Sequence, residues 1–387
     1  MINSASRISH VEEYYFSKKL KEVDALNKNG KGIINLGIGS PDLPPHESVI
    51  EALNNAAQLT ENHGYQSYRG LPELREAFAN WYQKYFKVKL NPDSELLPLM
   101  GSKEGILHIS MAYLEHGDEV LVPNPGYPAY SATAKLAGAE IRYYDLKEDE
   151  NWQPDLNELA KTDLSKVKLM WVNYPHMPTG AKVDNELFKK LNTFAEQHNI
   201  LICHDNPYSF ILNEKPESIL KNGPNDHVIE LNSLSKSHNM AGWRIGVIAA
   251  KEHHINNILK FKSNMDSGMF KPIQLAAIEA LNLSDDWYQQ QNALYKERKE
   301  IAFKILNSLD CSYQSEQSGM FAWGKIPEHV TSVENFTDEI LHHAQVFIVP
   351  GTVFGSNGSK YVRISLCADK EKLNKALERI IKFKQKK

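Results

Sequence analysis

Short apolar runs alternate with helical patterns through the middle of the chain. In the segment 185–197, Leu187, Leu191 and Phe194 fall at i, i+4 and i+7 and predict an amphipathic helix. Alternating strands and helices predict an α/β protein whose parallel sheet is covered on both faces. The runs predicted as strands are short, rich in β-branched residues and stopped by Pro or Asn, and they cover residues 119–125, 139–146, 168–175, 199–207 and 227–233.

The pattern changes from about Trp287 onward. A long polar helical stretch is followed by two apolar runs, "GMFAWGKI" and "YVRISL", and by a closing amphipathic helix, "KEKLNKALERIIKF". We expect a smaller α+β unit here, packed with an N-terminal segment that begins as a strand in "GIINLGIGSPDLPP". The predicted organisation is an N-terminal segment at 1–44, a large domain at 45–286 and a small domain at 287–387.

Composition and charge narrow the class of protein. A chain of 387 residues favours two subdomains. Its net charge of −4 gives no reason to expect binding to nucleic acid or to a membrane surface. Three scattered cysteines without a C-x-x-C pair predict a reduced compartment and no metal site. The N-terminus lacks an apolar signal core, and no apolar stretch approaches the length of a membrane span. We therefore expect a cytoplasmic globular protein.

Ligands of open α/β sheets bind at the carboxyl ends of the strands, so residues at these ends are candidates. Asp205 ends one predicted strand, and Tyr208 follows three residues later. The carboxylate could hold a ring N–H of a heteroaromatic ligand, and the phenol could hold a ring oxygen. Taken alone, an Asx-turn at Asp205 with a half-buried Tyr208 explains these residues better.

Two further stretches offer ligand-binding groups. Tyr127 and Tyr130 follow the strand 119–125 and could stack on a flat ligand or simply pack a loop. Ser102 and Lys103 open a helix whose first turn offers free N–H groups to a phosphate, although helix starts of this type are common. That helix is predicted to bury one stripe, formed by Leu107, Met111 and Leu114.

A lysine and two arginines complete the candidates. Lys236 could form a Schiff base with an aldehyde cofactor, while Ser233 and Arg244 hold a phosphate. A lone loop lysine is more often solvated. Arg363 lies in an alternating strand and could grip a carboxylate with its fork, or form a structural ion pair.

The order of these motifs along the chain is more specific than any one of them. D-x-x-Y follows an N-x-P-x-x-P-T-G turn and precedes S-x-S-K, an arginine eight residues later and a late R-I-S. The set resembles the fold-type I, class I/II aminotransferases, which are pyridoxal-phosphate enzymes, across nearly all of the chain. The resemblance implies their fold: a large domain with a mostly parallel seven-stranded sheet and a smaller α+β domain.

The resemblance also implies a role for each matching position. Lys236 would be the Schiff-base lysine and the proton carrier between the substrate Cα and the cofactor C4′. Asp205 would keep the pyridine nitrogen protonated. Tyr208 would bind the ring oxygen and Tyr127 would stack on the ring. The phosphate would be held by Ser102, Lys103, Ser233, Ser235 and Arg244.

Substrate contacts and a second subunit follow from the same resemblance. Arg363 would grip the α-carboxylate with help from backbone near Gly39, and Asn173 would lie near the substrate and the cofactor. Tyr65 matches a tyrosine that reaches the phosphate of the neighbouring subunit, which implies a homodimer. One position departs from the family pattern, because Met177 stands where the turn usually has an asparagine, and a thioether cannot donate a hydrogen bond.

We therefore predict a transaminase that moves an amino group between an L-amino acid and a 2-oxo acid in a ping-pong reaction. The alternatives are a carbon–sulfur β-lyase or cyclising synthase on the same fold, and a non-catalytic sensor, against which the intact Lys236 argues. We assign no second arginine to a distal carboxylate of the substrate. A neutral or apolar substrate side chain is suggested by aromatic residues at Tyr14, Tyr15, Tyr68, Phe270 and Phe321.

Overall fold

The protein is described here by a computed structural model that covers residues 2–183 and 185–386. Its strands are β1 (Ile34–Asn35), β2 (Leu96–Leu99), β3 (Glu119–Asn124), β4 (Glu140–Asp145), β5 (Val167–Asn173), β6 (Leu201–Asp205), β7 (Val228–Ser233), β8 (Gly246–Ala250), β9 (Phe321–Lys325), β10 (Val346–Phe347), β11 (Val349–Pro350) and β12 (Tyr361–Ser365).

The helices follow the strands in alternation through the middle of the chain and dominate its two ends. They are α1 (Ser6–Ser9), α2 (Tyr15–Lys28), α3 (Glu47–Ala57), α4 (Pro72–Phe86), α5 (Ser102–Tyr113), α6 (Pro128–Ala137), α7 (Leu156–Ala160), α8 (Asn185–His198), α9 (Leu234–Ser237), α10 (Glu252–Lys262), α11 (Lys271–Leu281), α12 (Asp285–Ser308), α13 (Val333–Glu339) and α14 (Lys370–Lys384).

The large sheet has seven strands in the order β2-β8-β7-β6-β5-β3-β4. Strand β8 runs antiparallel to its neighbours β2 and β7, and the other pairs are parallel. This confirms the predicted mostly parallel sheet. The five strands predicted from apolar runs are β3 to β7, whereas β2 and β8 were not recognised individually.

Side chains of the internal strand β5 alternate between two hydrophobic layers. Leu169 and Trp171 face one cluster, while Met170 and Val172 face the other. A strand sends successive side chains to opposite faces, so a strand buried on both faces is apolar throughout. The predicted stripe on α8, formed by Leu187, Leu191 and Phe194, is buried and therefore confirmed.

The predicted stripe on α5 is wrong in part. Leu107 and Met111 are only partly buried, whereas Ile106 and Ile109 are fully buried against the sheet. A Cβ at Gly105 would lie 2.5 Å from a side-chain carbon of Leu99, so this glycine lets the neighbouring helix face approach the sheet. Gly105 is therefore buried with Ile106 and Ile109 on the side of α5 that packs on the sheet.

The C-terminal strands form a separate antiparallel sheet in the order β11-β12-β9. Strand β1 pairs in parallel with β10, which brings the N-terminal segment to this end of the molecule. The exact boundaries at residues 44 and 286 stay a prediction. Among residues 2–183 and 185–386, none of the helices is both long and apolar enough to traverse a membrane, and the cytoplasmic location likewise stays a prediction.

Candidate active site

A cavity of about 280 Å³ opens where β5, β6 and β7 end, and α5, α6, β9 and β12 contribute to its wall. The site residues predicted from the sequence line this single cavity, with the exception of Tyr65. Those that line it are Gly39, Ser102, Lys103, Tyr127, Asn173, Asp205, Tyr208, Ser233, Ser235, Lys236, Arg244 and Arg363.

Lys236 is presented by the short helix α9, which starts directly where β7 ends. The Ser233 hydroxyl caps this helix by accepting from the Ser235 N–H at 3.1 Å, and it donates to the Ile245 carbonyl at 3.2 Å. The Lys236 ammonium donates to the Gly39 carbonyl at 2.5 Å. Burial lowers the pKa of Lys236, which favours the neutral amine that a nucleophile requires.

Asp205 is the last residue of β6 and is buried. Its Oδ2 accepts a hydrogen bond from the Tyr130 hydroxyl at 2.9 Å, whereas its Oδ1 is buried without a partner among the described residues. Burial raises the pKa of Asp205 to about 6, and the Tyr130 hydrogen bond acts in the opposite direction. A buried carboxylate oxygen without a donor is a binding position for a ligand N–H.

An anion site lies where α5 begins. Arg244 donates to the Ser235 hydroxyl at 3.3 Å and to the Ala241 carbonyl at 2.8 Å. A Cβ at Gly101, just before Ser102, would lie 2.1 Å from Arg244 Nη2, so glycine allows the guanidinium to reach the helix start. The first N–H groups of α5, the Ser102 hydroxyl and this guanidinium together suit a phosphate group. Lys103 borders the same cavity with its ammonium 4.8 Å from the centre of the Tyr14 ring.

Arg363 lies in the middle of β12 and is 4% exposed. Its Nη2 donates to the Gly37 carbonyl at 2.8 Å, and its guanidinium carbon lies 3.9 Å from the centre of the Phe321 ring and 4.5 Å from that of Phe354. Its Nε has no partner, and no carboxylate of the described residues pairs with it. Burial lowers the pKa of Arg363 to about 10, so it stays charged at neutral pH and leaves donors for an incoming carboxylate.

Met177 contacts this arginine directly. Arg363 Nη1 lies 3.3 Å from the Met177 sulfur, which is a weak acceptor. Asn173 is engaged elsewhere, because its amide donates to the Asp205 carbonyl at 2.6 Å and accepts from the Met177 N–H at 2.8 Å. His176 is turned away, toward the Thr179 hydroxyl at 2.8 Å. Neither side chain takes the place of the asparagine that the family turn usually has.

The two predicted ring contacts lie beside the cavity. Tyr127 immediately precedes α6, and its ring meets that of Tyr130 edge-on, with centroids 5.6 Å apart. Tyr208 is 9% exposed, and its ring lies 6.0 Å from that of Phe321. Burial raises the pKa of both Tyr127 and Tyr208, so both keep their hydroxyl proton at neutral pH and can donate it.

Several residues that line the cavity were not assigned to the site from the sequence. Phe16 and Ile38 come from the N-terminal segment, and Phe354 precedes β12 by a few residues. The Tyr130 hydroxyl, which bonds to Asp205, was expected at most to stack on a ligand. Hydrophobic residues in a loop or helix carry no local signal of a ligand, so only tertiary contacts identify this aromatic wall.

Tyr65 is outside the cavity. It lies in the loop before α4 and is 93% exposed. Other large apolar side chains are exposed on the surface as well, including Tyr68 and Phe270, whose exposed fractions are 44% and 41%. The loop of Phe270 packs closely on the loop of Tyr65 and Tyr68. A Cβ at Gly268 would lie 2.6 Å from the Gln66 carbonyl oxygen, so only glycine allows this approach.

The chain is similar over its whole length to known aminotransferases. The family described as aminotransferase class I and II matches residues 31–380. An LL-diaminopimelate aminotransferase of Dehalococcoides mccartyi is 41% identical over 383 residues, which cover 98% of each chain.

Solved structures agree with this comparison. BacF of Bacillus subtilis, solved in its apo form, is 35% identical and superimposes with a TM-score of 0.94, covering 99% of this chain and 98% of its own. An alanine aminotransferase of Pyrococcus furiosus is 28% identical with a TM-score of 0.92, and the alignment covers 100% of both chains. The similarity therefore spans every element that contributes to the cavity.

Proposed function

Because this chain belongs to the class I and II aminotransferase family, we propose that the cavity around Lys236 is its transamination site. The enzyme is a pyridoxal-phosphate-dependent transaminase that exchanges an amino group between an L-amino acid and a 2-oxo acid. This agrees with the prediction from sequence, and the lyase alternative gains no support. The observation that carries the assignment is the convergence on one cavity of a partly buried amine, a carboxylate oxygen without a partner and an arginine without a carboxylate, all judged among the described residues.

The cavity fits the cofactor in chemical type. The Asp205 oxygen that lacks a donor suits the pyridine N–H, and the Arg244 guanidinium at the start of α5 suits the phosphate. Ser102, Lys103, Ser233 and Ser235 would complete the phosphate contacts. Tyr208 would donate to the ring oxygen, Tyr127 would cover the ring face, and Asn173 would border the ring.

The cofactor, when bound, supplies an electron sink for the negative charge that develops at the substrate Cα. Lys236 would hold the cofactor through its aldehyde and, once displaced by the substrate, would carry the proton from the substrate Cα to the cofactor C4′. Burial lowers the pKa of Lys236, and this direction suits the exchange because it favours the neutral amine, which can act as a base. Asp205 would hold the ring nitrogen proton through its Oδ1, which has no donor among the described residues.

Arg363 would orient the substrate through its α-carboxylate. Rings of Phe321 and Phe354 lie close to the guanidinium, so it is desolvated and its remaining donors are directed to the cavity. The Gly39 carbonyl would release the Lys236 amine when the cofactor aldehyde binds it. The same aromatic rings would limit the access of water to this end of the cavity, which would strengthen the ionic contact.

Tyr65 is the residue that we assign to the contact with a second subunit. We propose a homodimer in which Tyr65 of one chain reaches the phosphate site of the other. The 93% exposure of its ring and the nearby exposed Tyr68 and Phe270 support a surface that a second copy covers. The anion site at α5 would then be completed only in the dimer.

LL-diaminopimelate is our first candidate for the amino donor, because a relative of that specificity is 41% identical along almost the entire chain. A neutral aromatic or aliphatic amino acid is the second candidate. The aromatic residues Tyr14, Phe16, Phe321 and Phe354 favour it, and Asp205 is the sole acidic residue in the cavity lining among the described residues.

A combined experiment tests the site and the donor. Borohydride reduction of the holoenzyme should fix the cofactor to a peptide containing Lys236, and attachment elsewhere would overturn the assignment. Amino donors are then compared in single half-reactions, in which each donor converts the aldehyde form of the cofactor to its amine form. Addition of 2-oxoglutarate should then restore the aldehyde form. We expect LL-diaminopimelate to convert the cofactor fastest. Faster conversion by phenylalanine or leucine would establish the second candidate instead.

A further inference from the structure

Tyr130 is a buried side chain that the proposed chemistry leaves unused. It lies in the first turn of α6 with no exposed surface. Its ring stacks on that of Trp171 in β5, with centroids 4.9 Å apart and planes 4° from parallel. Its hydroxyl donates to Asp205 Oδ2 at 2.9 Å. Stacking fixes the ring, and the fixed ring directs the hydroxyl at one oxygen of the carboxylate.

The hydrogen bond from Tyr130 distinguishes the two carboxylate oxygens of Asp205. Oδ2 is tied to Tyr130, whereas Oδ1 is buried and has no partner among the described residues. A carboxylate with one oxygen tied cannot rotate freely, so the free oxygen keeps its direction. We propose that Tyr130 is a positioning residue that aims Asp205 Oδ1 at the cofactor ring nitrogen and keeps the Asp205 carboxylate ionised. This proposal rests on the role proposed above for Asp205.

The electrostatic part of the argument follows from burial. Burial raises the pKa of Asp205 to about 6, close enough to neutrality for its protonated form to compete. A donated hydrogen bond favours the ionised form, so loss of the Tyr130 hydroxyl should raise the pKa further. Other titratable groups interact electrostatically with Asp205, and a change at Tyr130 leaves them in place. They are His204 in β6, Lys236 in α9, Tyr127 and Tyr208.

Tyr130→Phe tests the proposal with little change in shape. It keeps the ring on Trp171 and removes only the hydroxyl. Tyr144→Phe is the matched control, because Tyr144 is also buried and donates a single hydrogen bond, to the Trp171 carbonyl at 2.7 Å. Asp205→Asn serves as the reference in which the titrating carboxyl is absent.

The first measurement is infrared spectroscopy of the full-length chain with ¹³C-labelled aspartate, taken against Asp205→Asn. It follows the protonated carboxyl band of Asp205 with pH. Tyr130→Phe should raise the titration midpoint of Asp205 by about one pH unit. The variant loses a hydrogen bond to a charged group, and such bonds are among the stronger ones. The second measurement is kcat/KM of the holoenzyme against pH. Its acid limb should shift in the same direction, which lowers the rate on that limb.

An unchanged midpoint in Tyr130→Phe, or an equal shift in Tyr144→Phe, would overturn the proposal. If Tyr130→Phe does not fold, 3,5-difluorotyrosine at position 130 replaces it. That residue keeps the ring and is a stronger donor, so the midpoint should move down, and a midpoint that does not move overturns the proposal as well. The role of Asp205 fails separately, through near-normal turnover of Asp205→Asn.

Discussion

The cavity contains two arginines that are each proposed to bind an anion, and their surroundings are opposite. Arg244 is exposed and donates to a hydroxyl and a carbonyl at the start of α5. Arg363 is 4% exposed, lies against two aromatic rings and contacts a thioether. The first site spreads its binding over backbone N–H groups, hydroxyls and a cation. The second depends on one desolvated cation.

This difference suits the two proposed ligands. A phosphate that stays bound gains from many preorganised donors, and loss of any one of them is partly covered by the rest. A substrate carboxylate must bind and leave in every turnover. A single buried guanidinium gives strong orientation through a bidentate contact, and the weak thioether acceptor at Nη1 is easily displaced.

Arg363→Lys should have the largest effect. An ammonium cannot form the bidentate fork, so we expect KM for the amino donor to rise about 100-fold while cofactor affinity stays unchanged. Steady-state kinetics and cofactor titration measure the two quantities. A comparable loss of cofactor affinity would contradict the separation of the two anion sites.

Arg244→Lys should weaken cofactor binding and leave KM for the amino donor nearly unchanged, and its effect should be smaller than that of Arg363→Lys. The helix start and the serine hydroxyls remain, so we expect cofactor affinity to fall about tenfold and KM for the donor to stay within about twofold. Equilibrium dialysis of the cofactor provides the measurement. If KM rises as strongly as in Arg363→Lys, the two arginines serve one ligand.

Tyr65→Phe sharpens the comparison, because only the phosphate site is proposed to be completed by a second subunit. Loss of one hydroxyl contact should weaken cofactor binding about fivefold, without affecting KM for the donor. Tyr68→Phe, in the same loop, is the control. Sedimentation at decreasing concentration should show cofactor release together with dissociation, and a monomer that retains its cofactor would rule out the shared site.

Met177→Asn should have the smallest effect. An asparagine amide can donate to the substrate carboxylate beside Arg363, so KM for the donor should fall about threefold. Met177→Leu keeps the bulk without donor or acceptor and should stay near the parent enzyme. A raised KM in Met177→Asn would mean that the amide oxygen binds Arg363 and competes with the substrate.

The sequence was sufficient wherever a local pattern has a local cause. Apolar runs stopped by Pro or Asn predicted β3 to β7, because a strand buried on both faces must be apolar throughout. Asp205 ends β6 with Tyr208 shortly after it, and Ser233 and Lys236 lie at the carboxyl end of β7. The sequence therefore placed them on one sheet edge, which carboxyl ends of parallel strands share. These residues do line one cavity.

Tertiary structure decided what joins segments distant in the chain. The structure buries Ile106 and Ile109 on the side of α5 that carries Gly105, where a missing Cβ permits close packing against Leu99. The Tyr130–Asp205 bond and the Arg363–Met177 contact span 75 and 186 positions in sequence. Such contacts depend on the relative placement of whole elements, so residue types alone identified the charged groups of the site but not the partners that orient them.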